Sequence, residues 1–197
     1  MRPGARRARQ RSEARRLEIL RAAARVFRRR GLAAAGMREI AEEADLSPGN
    51  LYYYFSGKDE LLRFCQERTL EHMLAAVDAA RSRGGSSVDR VREVLRAHVH
   101  AMLDELEGAT AHLEVELLPE ALRRSVIQKR DRYERGVREL VKQGVAAGEF
   151  ARCDVSLVTR AMLGAVNWTA RWYRPDGKQS VAQIAAGLSD YLVKGLA

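Results

Sequence analysis

Residues 37–58 read MREIAEEADLSPGNLYYYFSGK, and this stretch decides the fold. Met37, Ile40, Ala41 and Ala44 recur at helical spacing and form the buried stripe of a short helix. Asp45 and Leu46 then turn the chain. Ser47 can cap a second short helix, and Pro48 suits its first position because no amide donor is needed there. On that helix Leu51 and Phe55 share one face. Tyr52, Tyr53 and Tyr54 are consecutive and cannot all be buried with them, so some must be exposed. Ser56-Gly57 ends the helix, and Lys58 opens a long one that runs to about Ser82. Two short helices joined by a tight turn, the second capped by Ser-Pro, make a helix-turn-helix pattern.

The pattern carries a specific function. A helix that enters the ~12 Å major groove must be narrow, exposed and rigidly held. Met37, Ile40, Ala41, Leu46, Leu51 and Phe55 are expected to hold it from within, while Gly49, Asn50, Tyr52 and Tyr53 face the duplex. Gly49 lets the backbone approach closely, and Asn50 offers an amide to a base edge. The two tyrosines offer hydroxyls to phosphates and ring faces to thymine methyls. Lys58 stands at the start of the next helix, where a cation and free amides together suit a phosphate.

Upstream, the charge distribution points the same way. Residues 1–30 hold twelve arginines and two acids, net +10, whereas the other 167 residues carry 23 cations and 24 anions, net −1. The whole excess of +9 therefore lies in the first thirty residues, an electrostatic footprint for a polyanion. Residues 1–11 read as a flexible basic arm. There Arg6, Arg7, Arg9 and Arg11 would track phosphates or enter a minor groove; a solvated tail adding only nonspecific affinity is the alternative. A helix is expected from Ser12, with Leu17, Leu20, Ala24 and Phe27 on one face and Gly31 as its stop.

Residues 17–62, LEILRAAARVFRRRGLAAAGMREIAEEADLSPGNLYYYFSGKDELL, resemble the N-terminal domain of the TetR family of bacterial transcriptional repressors. The resemblance rests on Phe27 with Gly31, the box Arg38-Glu39-Ile40-Ala41, the run Ser47-Pro48-Gly49-Asn50-Leu51-Tyr52, and Tyr54-Phe55 followed by Lys58. Met37 departs from the pattern, which usually has Thr there, so a phosphate contact from that hydroxyl is missing or replaced. The resemblance implies an all-α homodimer with two reading heads on a palindromic double-stranded operator. It also implies a larger C-terminal domain that binds a small effector and releases DNA. About nine helices are expected, divided as an arm (1–11), a head (12–57) and a ligand-binding and dimerisation domain (58–197).

The C-terminal half offers less chemistry. After the linker Gly84-Gly85-Ser86-Ser87, helical segments are expected at about 87–107, 110–118, 119–148, 154–173 and 178–196. His72, His98, His100 and His112 are scattered and read as solvated or singly bonded rather than as metal ligands. No phosphate loop, nucleophile elbow or HExxH is present, so neither an enzyme, a metal nor a cofactor is expected. The informative run is Asn167 to Gly177. Asn167, Trp168, Arg171 and Trp172 end an apolar helix, and arginine beside aromatics suits a ligand with a long apolar part and an anionic head. Packing of the two tryptophans in the core or at a dimer seam is the alternative. Small residues at Ala161, Gly164, Ala165, Ala185, Ala186 and Gly187 would let the last two helices pair with their twins.

The stretch from about Arg130 to Gly177 resembles the TetR subgroup whose members control fatty-acid and steroid degradation and answer to acyl-CoA thioesters. That similarity implies an acyl-CoA-like effector with Arg171 at its polar end. A cationic or aromatic drug, with control of efflux, is the rival effector. A pocket rich in carboxylates and aromatics, without Arg171 pointing in, would favour it. A peripheral membrane or RNA-binding protein is the rival of another class. The apolar runs are too short to span a bilayer, no secretory signal is expected, and two cysteines make no disulfide framework, so a cytoplasmic setting is expected.

Overall fold

The computed structural model describes residues 3–103 and 115–196. All regular structure among them is helical: α1 (Pro3–Ala34), α2 (Met37–Glu43), α3 (Pro48–Tyr54), α4 (Lys58–Ser82), α5 (Ser87–Leu103), a 3-10 turn (Val115–Leu117), α6 (Glu120–Ala146), α7 (Val155–Trp172) and α8 (Val181–Lys194). The all-α expectation holds, with eight α-helices among the described residues where about nine were expected. Of the segment 110–118, residues 110–114 lie outside the described residues.

One difference concerns the arm. α1 begins at Pro3, not Ser12, so the residues read as flexible continue the helix. Ala and Arg are among the strongest helix formers, and residues 5–11 contain no Gly or Pro to break the run. Gly31 does stop the regular helix: its φ of 75° and ψ of 159° break α1 before a last short turn.

Four α1 side chains, Ile19, Ala22, Ala23 and Val26, are fully buried, and Phe27 beside them is almost so. α2 packs on α1, and α3 packs on α2. In the C-terminal half α5 is the central rod, packed against α4, α6, α7 and α8. Its start is fixed from a distance: the Glu149 carboxylate accepts from the amides of Ser87 at 2.6 Å and Val88 at 3.3 Å, so an anion neutralises the free N-terminal donors. The chain reaches Glu149 through a left-handed Gly148 (φ 72°) that closes α6. There the Glu149 amide bonds the Gly144 carbonyl at 2.9 Å, and the Gly148 amide the Val145 carbonyl at 3.1 Å. Among the described residues no helix is long and apolar enough to cross a membrane.

Candidate nucleic-acid interface and effector cavity

The turn between α2 and α3 is built as a helix C-cap. Asp45 adopts a left-handed φ of 54°. The Leu46 amide reaches back to the Ala41 carbonyl at 2.9 Å and the Asp45 amide to Glu42 at 3.1 Å. Leu46 then packs against the head core. The Ser47 hydroxyl accepts from the Asn50 amide at 3.2 Å, and Pro48 occupies the first turn of α3. Leu51 and Phe55 are fully buried, whereas Tyr52 is 51% and Tyr53 83% exposed. Gly49 and Asn50 are exposed beside them. The helix is thus held by its inner face and presents Gly49, Asn50, Tyr52 and Tyr53 together on the outer one. Tyr54 is half-buried and braces Tyr53 edge-on, ring centres 5.2 Å apart.

The other head residues divide by environment. Arg38 is exposed, and Met37 is half-buried against the core. Lys58 donates to the Ala33 carbonyl at 3.1 Å, which clamps the start of α4 to the end of α1 and leaves the ammonium two further donors. Many α1 arginines are already engaged. Arg25 and Arg29 both hold the Glu43 carboxylate, at 2.5 and 2.6 Å, and keep its pKa low; Arg30 meets Glu39 at 3.1 Å. Arg16 lies over the rings of Phe55 (4.5 Å) and Phe64 (4.6 Å) and reaches Glu60 at 3.6 Å. By contrast Arg6, Arg7, Arg9 and Arg11 are exposed, with no ion pair among the described residues. Their positions on a helix spread them around its axis rather than along one face.

In the other half, α4, α5, α6 and α7 line a half-open cavity of about 280 Å³. Leu70, Met73 and Leu163 supply apolar wall, and Arg130, Glu134 and Arg160 bring charge to it. His98, Tyr133 and Asn167 complete the lining with one hydrogen-bonded chain. Tyr133 Oη lies 3.2 Å from His98 Nδ1, and His98 Nε2 lies 3.1 Å from Asn167 Oδ1. Burial pulls the His98 pKa down to about 3, so the ring is neutral, and burial pushes the Tyr133 pKa up, so its hydroxyl keeps its proton. Arg160 stands 3.5 Å from Glu134, which also holds Arg138. Burial lowers the pKa of Arg130, against the attraction of Glu116.

Of the four residues read as ligand contacts, the structure brings only Asn167 to this cavity. Trp168 and Trp172 are 65% and 45% exposed, and Arg171 is exposed; none of the three lines the cavity. The reason is helical phase. α7 buries Thr159, Met162, Val166 and Thr169, so Trp168 and Trp172, four apart, fall with Leu157 on the opposite side. The small residues of the expected seam also divide. Ala161, Gly164 and Gly187 are not buried, while Ala185 is buried within the subunit. His98 is a correction too: it is buried and bonded on both ring nitrogens, whereas His72 and His100 are exposed and His112 lies outside the described residues. Sequence reasoning missed Arg130, Tyr133 and Glu134 on α6 and Arg160 on α7, which share one wall only after these two helices pack together and against α4 and α5. Among the described residues no three His, Cys, Asp or Glu side chains cluster as a metal site.

Two family models match the chain: bacterial regulatory proteins of the tetR family over residues 19–64, and the tetracyclin repressor-like C-terminal domain over residues 84–196. The chain belongs to the TetR family of bacterial transcriptional regulators. Among TetR relatives, the transcriptional repressor KstR2 of Mycobacterium tuberculosis is 28% identical over 173 residues, 86% of each chain. The TetR regulator PfmR of Thermus thermophilus superposes with a TM-score of 0.82 at 30% identity, covering 91% of this chain and 98% of that one. AibR, solved in complex with isovaleryl coenzyme A and operator DNA, superposes with a TM-score of 0.74 at 25% identity, covering 91% and 98%. The TetR assignment makes the chain a transcriptional regulator and not an enzyme.

Proposed function

We propose that this TetR regulator is a homodimeric repressor that holds a palindromic operator through α3 of each subunit and lets go when an acyl-CoA-like effector fills the cavity. The observation that carries the reading is the outer face of α3, where Gly49, Asn50, Tyr52 and Tyr53 stand exposed over a fully buried Leu51 and Phe55. Residues 1–57 form the arm and reading head, and residues 58–197 the effector and dimer domain. Arg38, Ser47 and Lys58 flank α3 and serve the phosphates; Pro48 opens α3 and, with no N–H to donate, meets the DNA backbone by van der Waals contact, with Met37 taking the packing side of that group. Two heads fit successive major grooves, ~34 Å apart, only in the unliganded dimer. Leu157, Trp168, Trp172 and Tyr191, all exposed and apolar on α7 and α8, supply the surface for the partner subunit. A regulator of chromosomal DNA of this kind acts in the cytoplasm.

The effector reading rests on chemistry at the cavity. Apolar walls accept an acyl part, and Arg130 and Arg160 outnumber Glu134, which favours an anionic head over a cationic drug. These two arginines take the role that sequence reasoning gave to Arg171. AibR, the neighbour solved with isovaleryl coenzyme A, supports the same class of ligand. A gel shift on duplexes selected from the organism's own genome tests the reading. Binding to a discrete palindrome, relieved by a medium-chain acyl-CoA, is expected; binding that ignores sequence, or every thioester, contradicts it. In the same assay, deletion of residues 1–11 is expected to flatten the salt dependence, by ~0.9 in log–log slope for each phosphate that the arm neutralises. An unchanged slope removes the arm from the interface.

A further inference from the structure

The hydrogen-bond chain in the cavity wall has a direction. Asn167 Oδ1 can only accept, so His98 Nε2 donates to it. A neutral imidazole has one N–H, so Nδ1 must accept, and the Tyr133 hydroxyl donates to it. Every proton in the chain is thereby assigned. What remains at its open end is the Asn167 amide nitrogen, which has no protein partner among the described residues and belongs to a side chain that lines the cavity. Asn167 is half-buried on the cavity wall beside Leu70, Met73 and Leu163, so a ligand that fills the cavity strips water from this donor and leaves it unmet unless the ligand itself brings an acceptor.

We infer that Asn167, oriented by the Tyr133–His98 chain, selects effectors that carry a carbonyl oxygen on the part lodged in the cavity. Asn167 is the contact residue; His98 and Tyr133 are positioning residues. The oxygen belongs either to a thioester or to a ketone on the effector's carbon skeleton. The inference deepens the effector reading given above and rests on its cavity, but not on its coenzyme. Burial keeps His98 neutral at every physiological pH, so the direction of the chain is fixed. The edge-on contact of the His98 and Tyr133 rings, 5.3 Å between centres, holds the geometry.

Two matched ligand pairs separate the possibilities. One is octanoyl-CoA against its octyl thioether, which lacks the carbonyl; the other is 1-decalone against decalin. Binding is read by calorimetry or by displacement of a fluorescent apolar probe. In the wild-type chain the carbonyl member of at least one pair is expected to bind about tenfold more tightly than its twin. Preference in the CoA pair assigns the thioester oxygen. Preference in the decalone pair alone keeps this inference and removes the acyl-CoA reading. Equal binding within both pairs, or no binding by any of the four, overturns the inference. Asn167→Leu is expected to erase the preference with little change for the carbonyl-free twin. Tyr133→Phe, which keeps the ring and frees the imidazole to reverse, is expected to reduce it; the buried His98 nitrogen left without a partner lowers the melting temperature by a few degrees while the fold is retained. A Tyr133→Phe chain with undiminished preference would show that the His98 relay positions nothing.

Discussion

In the reading head, the residues that hold α3 and the residues that face outward are neighbours in sequence, from Ile40 to Phe55. In the effector cavity, Met73, His98, Tyr133 and Asn167 come from four helices that span about half the chain. The head is a rod whose chemistry is on its outside, so alternation along one short helix separates support from contact. The cavity is an interior surface whose chemistry is set by how α4, α5, α6 and α7 rotate against one another. A one-residue shift of phase on a helix turns a side chain by about 100° and moves it from wall to solvent. The two regions therefore answer differently to substitution, and that difference can be measured.

The largest effect is expected in the head. Phe55→Ala removes a fully buried ring that also lies 4.5 Å under the Arg16 guanidinium. It should cost about 4 kcal/mol of stability and abolish operator binding. Denaturant unfolding checks the first and a gel shift the second. A cost of less than about 1 kcal/mol would mean that α3 is not held from within.

The cavity should show itself through pH. His98 titrates with a pKa of about 3 in the folded chain, well below the usual histidine value, because burial disfavours the cation. The unfolded chain therefore binds the proton first. Stability is fully present above the unfolded pKa of about 6.5 and is lost as pH falls from there toward about 3. One such group contributes a slope of about 1.4 kcal/mol per pH unit over that window. His98→Gln should lower stability at neutral pH and flatten the curve between about pH 6 and 5, where the carboxylates are still ionised. An unchanged curve would place His98 in contact with water.

The smallest expected effect returns to the head. Asp45 is left-handed, so Asp45→Gly should raise stability by about 0.5 kcal/mol, while Asp45→Val should lower it by about 2 kcal/mol. Thermal melts, with the operator affinity as control, separate this backbone effect from any direct role of the carboxylate at the DNA.

The same contrast explains what could be read in advance. Ser47-Pro48 and the tyrosine run are local signals, and they reveal the helix-turn-helix, its caps and its outward residues. Gly31 is legible as a stop for the same reason. The helical start at Pro3 is not, because a run of arginines reads as solvated while its helix propensity is high. In the cavity only Asn167 is found. Trp168 and Trp172 draw notice by their size, but Met162 and Val166 set which side of α7 is buried. Arg130 and Arg160 have no local signal at all: each is one arginine among many until Leu163 and Met73 close the wall beside it.

We propose that sequence-selective binding by this chain depends on α3 reading DNA through the rings of Tyr52 and Tyr53, which are exposed. Affinity for the selected operator and for a scrambled duplex of the same length, measured side by side for wild type and for Tyr52→Ala/Tyr53→Ala, tests that dependence. The expected variant is folded and stable to within about 0.5 kcal/mol of wild type, and its preference for the operator falls at least tenfold while scrambled binding persists. A variant that keeps both the affinity and the preference would contradict it.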